Sequence, residues 1–264
     1  QRPQKQRARN ANCDTRYLAA VRRGKIVSRP FAVFDIDGTI IRWQLYHAII
    51  DVLAKQGDIS SELYAQVQAA RQQWKVRTHE ESFTEYEMRL VGYFKNILKG
   101  LDVAAYTKAS QQVFEAHKDL VYRYTRGLIK ELKAQQYILF AVSGSPVEVV
   151  KLFAVYYGFD DFAASIYKND GNRYTGEVVP VVGRKDEALQ KLMQKHGLDF
   201  SGSIGVGDSE GDIAMLNVVE NPVAFNPSKK LLAEAKIKGW RIVVERKNVV
   251  YELSEQGGVY VLED

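Results

Sequence analysis

A short apolar segment that ends in two closely spaced aspartates constrains the fold of this chain more than any other feature. Residues 31–34 are Phe-Ala-Val-Phe, and Asp35-Ile-Asp37-Gly-Thr follows directly. A continuous apolar run is typical of a strand that is buried on both faces of a parallel sheet. Because side chains alternate along an extended chain, Asp35 and Asp37 are expected on the same side at the strand end.

Two carboxylates this close resist being charged together unless a metal ion neutralises them or one of them binds a proton. The pair therefore suits a mechanism in which one aspartate attacks phosphorus and the other moves protons. Asp and Gly are also ordinary turn formers, so this motif alone leaves open a purely structural strand exit.

A second apolar segment, residues 138–142, leads into Ser143, Gly144, Ser145 and Pro146. Serine followed by proline favours the start of a helix. The first N–H groups of a helix are unpaired and carry partial positive charge, so they stabilise a phosphate. The Ser143 hydroxyl would add a further donor. A plain strand-to-helix turn has the same composition and stays open as an alternative.

A lysine lies in the segment of residues 182–189, which is predicted to open an amphipathic helix. Lys185 would offer a fixed positive charge to a phosphoryl oxygen and to Asp35. Its neighbour Arg184 competes for that role, and a solvated lysine in a charged first turn is the ordinary alternative.

A third apolar segment ends in an acidic pair. Residues 204–207 are followed by Asp208, and Asp212 comes four residues later. A spacing of four places both carboxylates on one side of a turn. Oxygen ligands with room for water and a phosphate suit Mg²⁺ better than a soft metal.

Together these residues match, in order, the four motifs of the haloacid dehalogenase-like (HAD) hydrolases, a superfamily that the chain resembles from about Arg29 to about Glu245. The resemblance is closest to the subclass of phosphoserine phosphatase-like phosphomonoesterases. It implies an α/β fold with a Rossmann-like parallel sheet core and an inserted helical cap of the C1 type. The matching residues are Asp35, Asp37, Ser143, Lys185, Asp208 and Asp212.

The resemblance also implies roles in catalysis and metal binding. Asp35 would be the nucleophile that becomes an aspartyl phosphate, and Asp37 would be the general acid and base. Mg²⁺ would be held by the carboxylates of Asp35 and Asp208 and by the backbone carbonyl of Asp37. Asp212 would assist directly or by orienting its neighbours.

The phosphoryl group would be bound by Ser143, Gly144 and Lys185, whose donors stabilise its equatorial charge. Family members that act on haloalkanoic acids lack the second aspartate, so the presence of Asp37 argues against dehalogenation.

The chain departs from the phosphoserine phosphatases where those enzymes bind the substrate. They carry a glutamate for the ammonium group where this chain has Gln44, and an arginine for the carboxylate where it has Leu90, next to Arg89. Phosphoserine is therefore a weak expectation as substrate. The candidates for substrate specificity are Arg42, Trp43, Gln44, His47 and Arg89.

Apolar periodicity divides the chain into a core and an insertion. Helical spacing dominates residues 43–119, where a cap belongs, while strands and helices alternate from about residue 120 onward. We therefore assign residues 29–42 and 120–264 to the α/β core and residues 43–119 to the cap. A terminal hairpin is predicted from Tyr251 to Leu262.

The positive charge is concentrated at the N-terminus. Residues 1–30 hold nine Lys or Arg against one acidic residue, whereas the remainder holds 28 basic and 31 acidic residues. We interpret residues 1–28 as a flexible basic arm, since they lack periodic apolar positions. Such an arm can bind nucleic acid or anionic lipid by charge alone. A merely solvated arm is the simpler interpretation, and no stable nucleic-acid partner is expected.

No run of about 18 apolar residues predicts a membrane span, and no apolar signal-peptide core is present. A single cysteine, Cys13, fits a reducing compartment, so a cytoplasmic location is expected. The sequence thus predicts a Mg²⁺-dependent phosphatase that hydrolyses a small phosphomonoester as a monomer or homodimer. Alternatives are a phosphoserine phosphatase, a phosphotransferase of the same fold, or a non-catalytic binding protein that uses the basic arm.

Overall fold

The computed structural model describes residues 29–79 and 82–263. The basic arm predicted for residues 1–28 lies outside the described residues, as does Cys13. The described residues build a sheet of nine strands in the order β4-β3-β2-β1-β5-β6-β7-β8-β9. The strands are β1 (Phe31–Phe34), β2 (Ile138–Pro146), β3 (Asp161–Asn169), β4 (Tyr174–Val179), β5 (Ile204–Gly207), β6 (Asn221–Phe225), β7 (Arg241–Arg246), β8 (Val249–Gln256) and β9 (Val259–Leu262).

The six central strands, β3 to β7 in that spatial order, run parallel, and antiparallel strands extend both edges. The predicted α/β fold with a parallel core is thus confirmed. Strand β1 is buried along its whole length, as its uninterrupted apolar sequence predicts. The predicted terminal hairpin is also present, with β8 and β9 joined at Gly257 and Gly258.

Helices cover both faces of the sheet, and five of them lie in the chain segment that connects β1 to β2. The helices are α1 (Leu45–Gln56), α2 (Ser61–Val76), α3 (Ser82–Leu98), α4 (Val103–His117), α5 (Arg123–Ala134), α6 (Val147–Tyr157), α7 (Lys185–His196), α8 (Ile213–Leu216) and α9 (Lys229–Lys238). A 3₁₀ turn, Glu210–Asp212, precedes α8. None of the helices in residues 29–79 and 82–263 combines the length and apolar character required to span a bilayer.

Helices α1 to α4 occupy the segment predicted as the cap over the core, and α2 and α4 each begin with a capping side chain. The Ser60 hydroxyl accepts a hydrogen bond from the Leu63 amide, and the Asp102 carboxylate accepts from the amides of Ala104 and Ala105. Such caps satisfy amide groups that have no partner within the helix. These local signals explain why helices α2 and α4 begin where they do.

An aromatic cluster packs these helices against the sheet. The Phe94 ring of α3 lies 4.6 Å from the Tyr46 ring of α1, 6.2 Å from Tyr106 of α4 and 5.3 Å from Tyr167 of β3, measured between centroids. Phe94 and Tyr106 are fully buried. Edge-to-face pairs of this kind add about 0.5–1.5 kcal/mol each beyond their buried area. The cluster therefore sets the position of α1 and α3 above the carboxyl ends of the strands.

The chain leaves the core before α1 and returns after α4 at adjacent points. Ile41 and Val121 form an antiparallel bridge. The Arg42 amide donates to the Leu120 carbonyl at 3.1 Å, and the Tyr122 amide donates to the Ile40 carbonyl at 2.9 Å. The two connecting segments are thus hydrogen-bonded to each other.

Candidate active site

The three apolar segments that end in polar residues are neighbours in the sheet. Strand β1 pairs with β2 through Phe34 and Ala141, and with β5 through Phe34 and Val206. Because all three strands are parallel, the residues that follow them emerge at the same edge. This is the place where open α/β sheets bind ligands.

Lys185, the first residue of α7, lies at the centre of the site. Its ammonium donates hydrogen bonds of 2.6 Å to Asp35 Oδ1 and to Asp212 Oδ1. The lysine is only 6% exposed, and both carboxylates are buried as well. Burial alone would lower the pKa of Lys185, but the charges of Asp212 and Asp35 outweigh it and hold that pKa above its ordinary value. Lys185 therefore carries a positive charge at physiological pH.

Arg184, the alternative to Lys185, points elsewhere. Its side chain is exposed and forms an ion pair with Glu187 at 2.5 Å. The structure thus brings Lys185 to the acidic residues and leaves Arg184 at the surface.

Asp35 is buried among charged groups. Burial raises its pKa to about 8, with Asp212 and Asp37 adding to the effect and Lys185 opposing it. The pKa of Asp208 is also raised, by burial and by the charges of Asp35 and Asp212. In the described parts of the chain, the carboxylates of Asp35, Asp37, Asp208 and Asp212 thus share the charge of Lys185, and a further cation would relieve their repulsion.

Asp37 is held by two donors. The Leu45 amide at the start of α1 donates to Asp37 Oδ1 at 2.6 Å, and the Ser143 hydroxyl donates to Oδ2 at 3.1 Å. Burial raises the pKa of Asp37 in spite of these bonds. A carboxyl group with a raised pKa is suited to donating and accepting protons near neutral pH.

Asp212 is oriented by the turn that it closes. Its Oδ2 accepts from the amides of Asp208 and Ser209 at 3.0 and 2.9 Å and from the Ser209 hydroxyl at 3.1 Å. Its Oδ1 is bonded to Lys185. Since both oxygens are engaged, Asp212 is placed to position Lys185 and Asp208.

Carboxylate oxygens of Asp35, Asp208 and Asp212 lie within 4.8 Å of one another, which makes them a group able to hold a metal ion. Thr39 donates a long hydrogen bond of 3.4 Å to Asp208 Oδ1. Gly38 leaves room for the other oxygen, because a Cβ there would come within 2.1 Å of Asp208 Oδ2. A set of hard oxygen donors fits a hard divalent cation such as Mg²⁺.

Gly144 follows Ser143 on the other side of the site. Its carbonyl accepts hydrogen bonds from the Tyr46 hydroxyl at 2.8 Å and from the Ser165 hydroxyl at 2.6 Å. A Cβ at this position would meet a Val182 methyl group at 2.6 Å. The carboxyl-terminal part of β2 is therefore fixed against both α1 and β3.

Three of the five candidates for substrate specificity have side chains that contact residues outside the cluster of aspartates around Lys185. Arg42 forms an ion pair with Glu245 of β7. Arg89 is exposed and donates to Gln73 of α2 at 3.0 Å. His47 is buried against the rings of three aromatic residues, namely Trp43, Trp74 and Tyr86.

The other two candidates, Trp43 and Gln44, directly precede α1. Trp43 is half-buried with its ring 5.5 Å from His47. Gln44 is half-buried and precedes α1, and its side chain makes no capping hydrogen bond. Its neighbour Leu45 donates to Asp37, which places Gln44 close to the site.

Glu87 of α3 is a residue that the sequence analysis did not select. Burial raises the pKa of its carboxyl group to about 7, with a smaller rise from the charge of Asp37 and an opposing effect of Lys185. The signal in the sequence is a glutamate directly after a core position of an amphipathic helix, Tyr86. That signal is weak, because charged residues commonly flank the apolar face of a helix.

A protein-family model described as haloacid dehalogenase-like hydrolase matches residues 32–217, which is more than half of the chain. The chain is 28% identical over 159 residues to the inhibition of morphological differentiation protein of Streptomyces azureus. That match covers 59% of this chain and 57% of the relative. A histidinol-phosphatase of Neisseria meningitidis serogroup C (strain 8013) is 23% identical over 237 residues, which cover 80% of this chain and 97% of the relative.

A solved structure described as a phospho-aspartyl intermediate analogue of phosphoserine phosphatase has a similar fold. Its TM-score is 0.55 at 22% sequence identity, and the alignment covers 84% of this chain and 95% of that chain. This likeness shows a shared fold and agrees with the predicted architecture.

Proposed function

Since this chain belongs to the haloacid dehalogenase-like hydrolase family, we propose that it is a Mg²⁺-dependent phosphatase acting on a small phosphomonoester through an aspartyl-phosphate intermediate. Membership of this family, with a histidinol-phosphatase among the relatives, confirms the predicted enzyme class, a phosphoric monoester hydrolase. The substrate, the metal and the residue roles belong to the proposal.

The ion pair between Lys185 and Asp35 is the observation that carries this proposal. The two atoms are 2.6 Å apart although 150 positions separate the residues along the chain. The pair holds the Asp35 carboxylate at the edge of the sheet. It also holds the Lys185 ammonium beside it, where this positive charge would attract the phosphoryl group of a substrate. Such an arrangement prepares a nucleophile and a binding site for its target together.

In the first step an oxygen of Asp35 attacks phosphorus, and the bond between phosphorus and the alcohol oxygen breaks. Asp37 gives its proton to that leaving oxygen. In the second step Asp37 takes a proton from water, and the water oxygen attacks the phosphorus of the aspartyl phosphate. The bond between that phosphorus and the Asp35 oxygen breaks, which releases inorganic phosphate and restores the Asp35 carboxylate. The raised pKa of Asp37 supports both transfers, because a group that titrates nearer to neutral pH can serve as acid and then as base.

Ser143, Gly144 and Lys185 are proposed to hold the transferring phosphoryl group. The Ser143 hydroxyl and the Lys185 ammonium converge from β2 and α7 on the two aspartates, at 3.1 Å from Asp37 and 2.6 Å from Asp35. Donors fixed in this way stabilise charge on the phosphoryl oxygens without reorganising during the reaction.

Asp35, Asp208 and the backbone carbonyl of Asp37 are proposed to hold Mg²⁺, with Asp212 orienting Asp208 and Lys185. The ion, when bound, would neutralise phosphoryl charge and offset the repulsion between Asp35 and Asp208. The close carboxylates and the space left by Gly38 support this assignment.

Residues 43–119 are proposed to act as the cap over a core of residues 29–42 and 120–264. Helices α1 and α3 lie near the site, where they would exclude water and select the substrate. The same proposal includes a cytoplasmic, monomeric or homodimeric enzyme. A non-catalytic binding protein is disfavoured, because an assembled set of buried carboxylates and a lysine would have no purpose in it.

Phosphate release from a panel of phosphomonoesters, measured with Mg²⁺ and with EDTA, tests the proposal. We expect turnover that requires Mg²⁺ and falls at least about 1,000-fold in Asp35→Asn, since that variant lacks the nucleophile. Asp58→Asn, which changes an exposed aspartate after α1, is the matched control and should keep its turnover. Turnover that survives Asp35→Asn would refute the assignment of the nucleophile.

A further inference from the structure

The Tyr46 hydroxyl connects the insertion to the segment that is proposed to bind the phosphoryl group. Tyr46 lies in the first turn of α1, and its hydroxyl donates a hydrogen bond of 2.8 Å to the Gly144 carbonyl. The two residues are 98 positions apart in the chain. Gly144 lies between Ser143 and Ser145 in the carboxyl-terminal part of β2. A side chain of the insertion thus contacts the core directly beside the proposed phosphate site.

The Gly144 carbonyl accepts a second hydrogen bond, from the hydroxyl of Ser165 in β3 at 2.6 Å. Ser165 is itself held by the Val181 amide, which donates to its hydroxyl oxygen at 3.2 Å. A carbonyl oxygen has two lone pairs, so it can accept from Tyr46 and Ser165 at the same time. One donor comes from the insertion and the other from the core. The orientation of this carbonyl therefore depends on both parts of the molecule.

The peptide group that contains this carbonyl is also held at its N–H. Because a peptide bond is planar and trans, the Ser145 N–H points away from the Gly144 carbonyl, to the opposite side of the bond. That N–H donates to the Ser143 hydroxyl oxygen at 3.0 Å, and the Ser143 hydroxyl donates to Asp37 Oδ2 at 3.1 Å. A chain of hydrogen bonds thus runs from Tyr46 through one peptide group and Ser143 to Asp37. Hydrogen bonds in such a chain strengthen one another.

The surroundings of Tyr46 fix the direction of its hydrogen bond. The residue is 7% exposed, and burial raises the pKa of its hydroxyl well above the ordinary value, so the group keeps its proton at physiological pH. The Tyr167 hydroxyl lies 3.2 Å from the Tyr46 hydroxyl. Since a carbonyl can only accept, the single proton of Tyr46 is committed to Gly144, and Tyr167 is the donor in this second bond.

We propose that Tyr46 is a positioning residue through which the docking of α1 and the binding of phosphate depend on each other. With α1 in place, Tyr46 helps to hold Ser143 and Gly144 in the arrangement that binds the phosphoryl group. When α1 moves away, the Gly144 carbonyl loses one of its donors and the peptide is less constrained. This inference rests on the proposed function, which assigns phosphate binding to Ser143, Gly144 and Lys185. It adds a residue of the insertion that acts on that site through the Gly144 carbonyl.

Titration with inorganic phosphate in the presence of Mg²⁺ tests the proposal without requiring turnover. Tyr46→Phe removes the hydroxyl and keeps the ring that packs on Phe94. We expect the dissociation constant of phosphate, measured by calorimetry, to rise about 3- to 10-fold, which corresponds to the loss of one hydrogen bond. Ser165→Ala removes the other donor to the same oxygen and should raise the dissociation constant as well.

Tyr64→Phe is the matched control, because it also removes one tyrosine hydrogen bond from the insertion. Tyr64 lies on α2, and its hydroxyl donates to Asp51 of α1 at 3.1 Å. The dissociation constant of phosphate should stay at the wild-type value in this variant, whatever happens to its melting temperature. An unchanged constant in Tyr46→Phe, or an equal rise in Tyr46→Phe and Tyr64→Phe, would overturn the proposal. An unchanged constant in Ser165→Ala would also overturn it, since the effect would then not pass through the Gly144 carbonyl.

Hydrogen exchange measures the coupling in the reverse direction. Because the coupling between two equilibria is reciprocal, phosphate should slow the exchange of the α1 amides in the wild-type protein. This protection should be smaller in Tyr46→Phe, where the bond between α1 and Gly144 is missing. Equal protection of α1 in the two proteins would show that Tyr46 does not carry the coupling.

Phosphate release from phosphomonoesters is measured separately and decides the proposed function. If no ester is hydrolysed while phosphate binds and Tyr46→Phe weakens that binding, the proposed function fails and the role of Tyr46 stands. If esters are hydrolysed while Tyr46→Phe binds phosphate as the wild type does, the proposed function stands and the role of Tyr46 fails. A wild-type protein that does not bind phosphate would overturn the role of Tyr46.

Discussion

The positive charge of Lys185 offsets part of the negative charge that the aspartates bring to the site. The lysine bonds two buried carboxylates, and without it Asp35 and Asp212 would face each other and Asp208 with no positive group from the described residues between them. Losing one partner of a buried ion pair costs several kcal/mol, because the remaining charge stays unpaired. Lys185 is thus needed to balance the charge of the site, in addition to its proposed role in binding the phosphoryl group.

The stability of the folded protein depends on whether His47 of the insertion is protonated. Burial lowers its pKa to about 3, with Arg71 and Lys75 acting in the same direction. Its Nδ1 has no hydrogen-bond partner within the described residues. The folded state therefore keeps His47 neutral at a pH where the unfolded chain binds a proton.

His47 should make the protein lose stability as the pH falls. Its folded pKa is depressed below the ordinary value of 6.5, so its contribution is present above pH 6.5 and is lost as the pH falls from 6.5 toward 3. Between pH 7.5 and pH 5, the free energy of unfolding should fall by about 2 kcal/mol more in the wild type than in His47→Gln.

Urea unfolding at the two pH values measures this difference. His79→Gln, which changes a half-exposed histidine near α3, should retain the pH dependence of the wild type. An equal pH dependence in His47→Gln and the wild type would contradict the buried neutral state of His47.

Local patterns predicted the residues of the site, but not which neighbours face it. Asp35, Ser143 and Asp208 each follow an apolar strand, and parallel strands bring their ends together whatever the remaining chain does. His47 and Arg89 were selected because they lie near the right place in the sequence. Their orientation depends on how α1, α2 and α3 pack, which periodicity alone does not determine. Glu87 was missed for the same reason.

Helix starts supply much of the precision of the site. The first amide of α1 binds Asp37, and Lys185 is the first residue of α7. The 3₁₀ turn before α8 is closed by Asp212 through its bonds to Ser209. Unpaired amides at a helix start stabilise carboxylates, as at α1 and at the 3₁₀ turn, whereas α7 contributes the charge of its first side chain.

Helix α4 should depend measurably on its cap. Replacing Asp102 by Ala removes two hydrogen bonds, to the amides of Ala104 and Ala105 at 2.9 and 3.0 Å. We expect the free energy of unfolding to fall by about 1 kcal/mol, measured by chemical denaturation. Asp102→Asn keeps an accepting oxygen and should lose much less. Equal losses in the two variants would show that the cap is not the cause.

The sheet and the insertion are held together by apolar packing, whereas the site between them is a concentration of like charge. Buried carboxylates are tolerated there only because the surrounding core is large enough to offset them. The proposed metal should therefore stabilise the whole molecule as well as complete the site.

Mg²⁺ should raise the melting temperature of the wild-type protein. At a concentration 100 times the dissociation constant, binding adds about 2.7 kcal/mol to the stability. For a domain of this size that corresponds to a rise of roughly 5–10 °C. Asp208→Asn should lose most of the rise because it removes a proposed ligand, while Asp58→Asn should keep it. A melting temperature indifferent to Mg²⁺ in the wild type would argue against the metal site.

The paired connection at Ile41 and Val121 has a consequence for how this architecture can diversify. Because the chain leaves the sheet and returns at adjacent, hydrogen-bonded points, the segment between them can change in length and sequence without displacing β1 or β2. The core strands and the inserted helices can thereby diverge separately, except at Leu45 and Tyr46, whose hydrogen bonds to Asp37 and Gly144 join the insertion to the site. If the proposed roles hold, a change confined to the insertion would alter the choice of substrate and leave the proposed reaction in place.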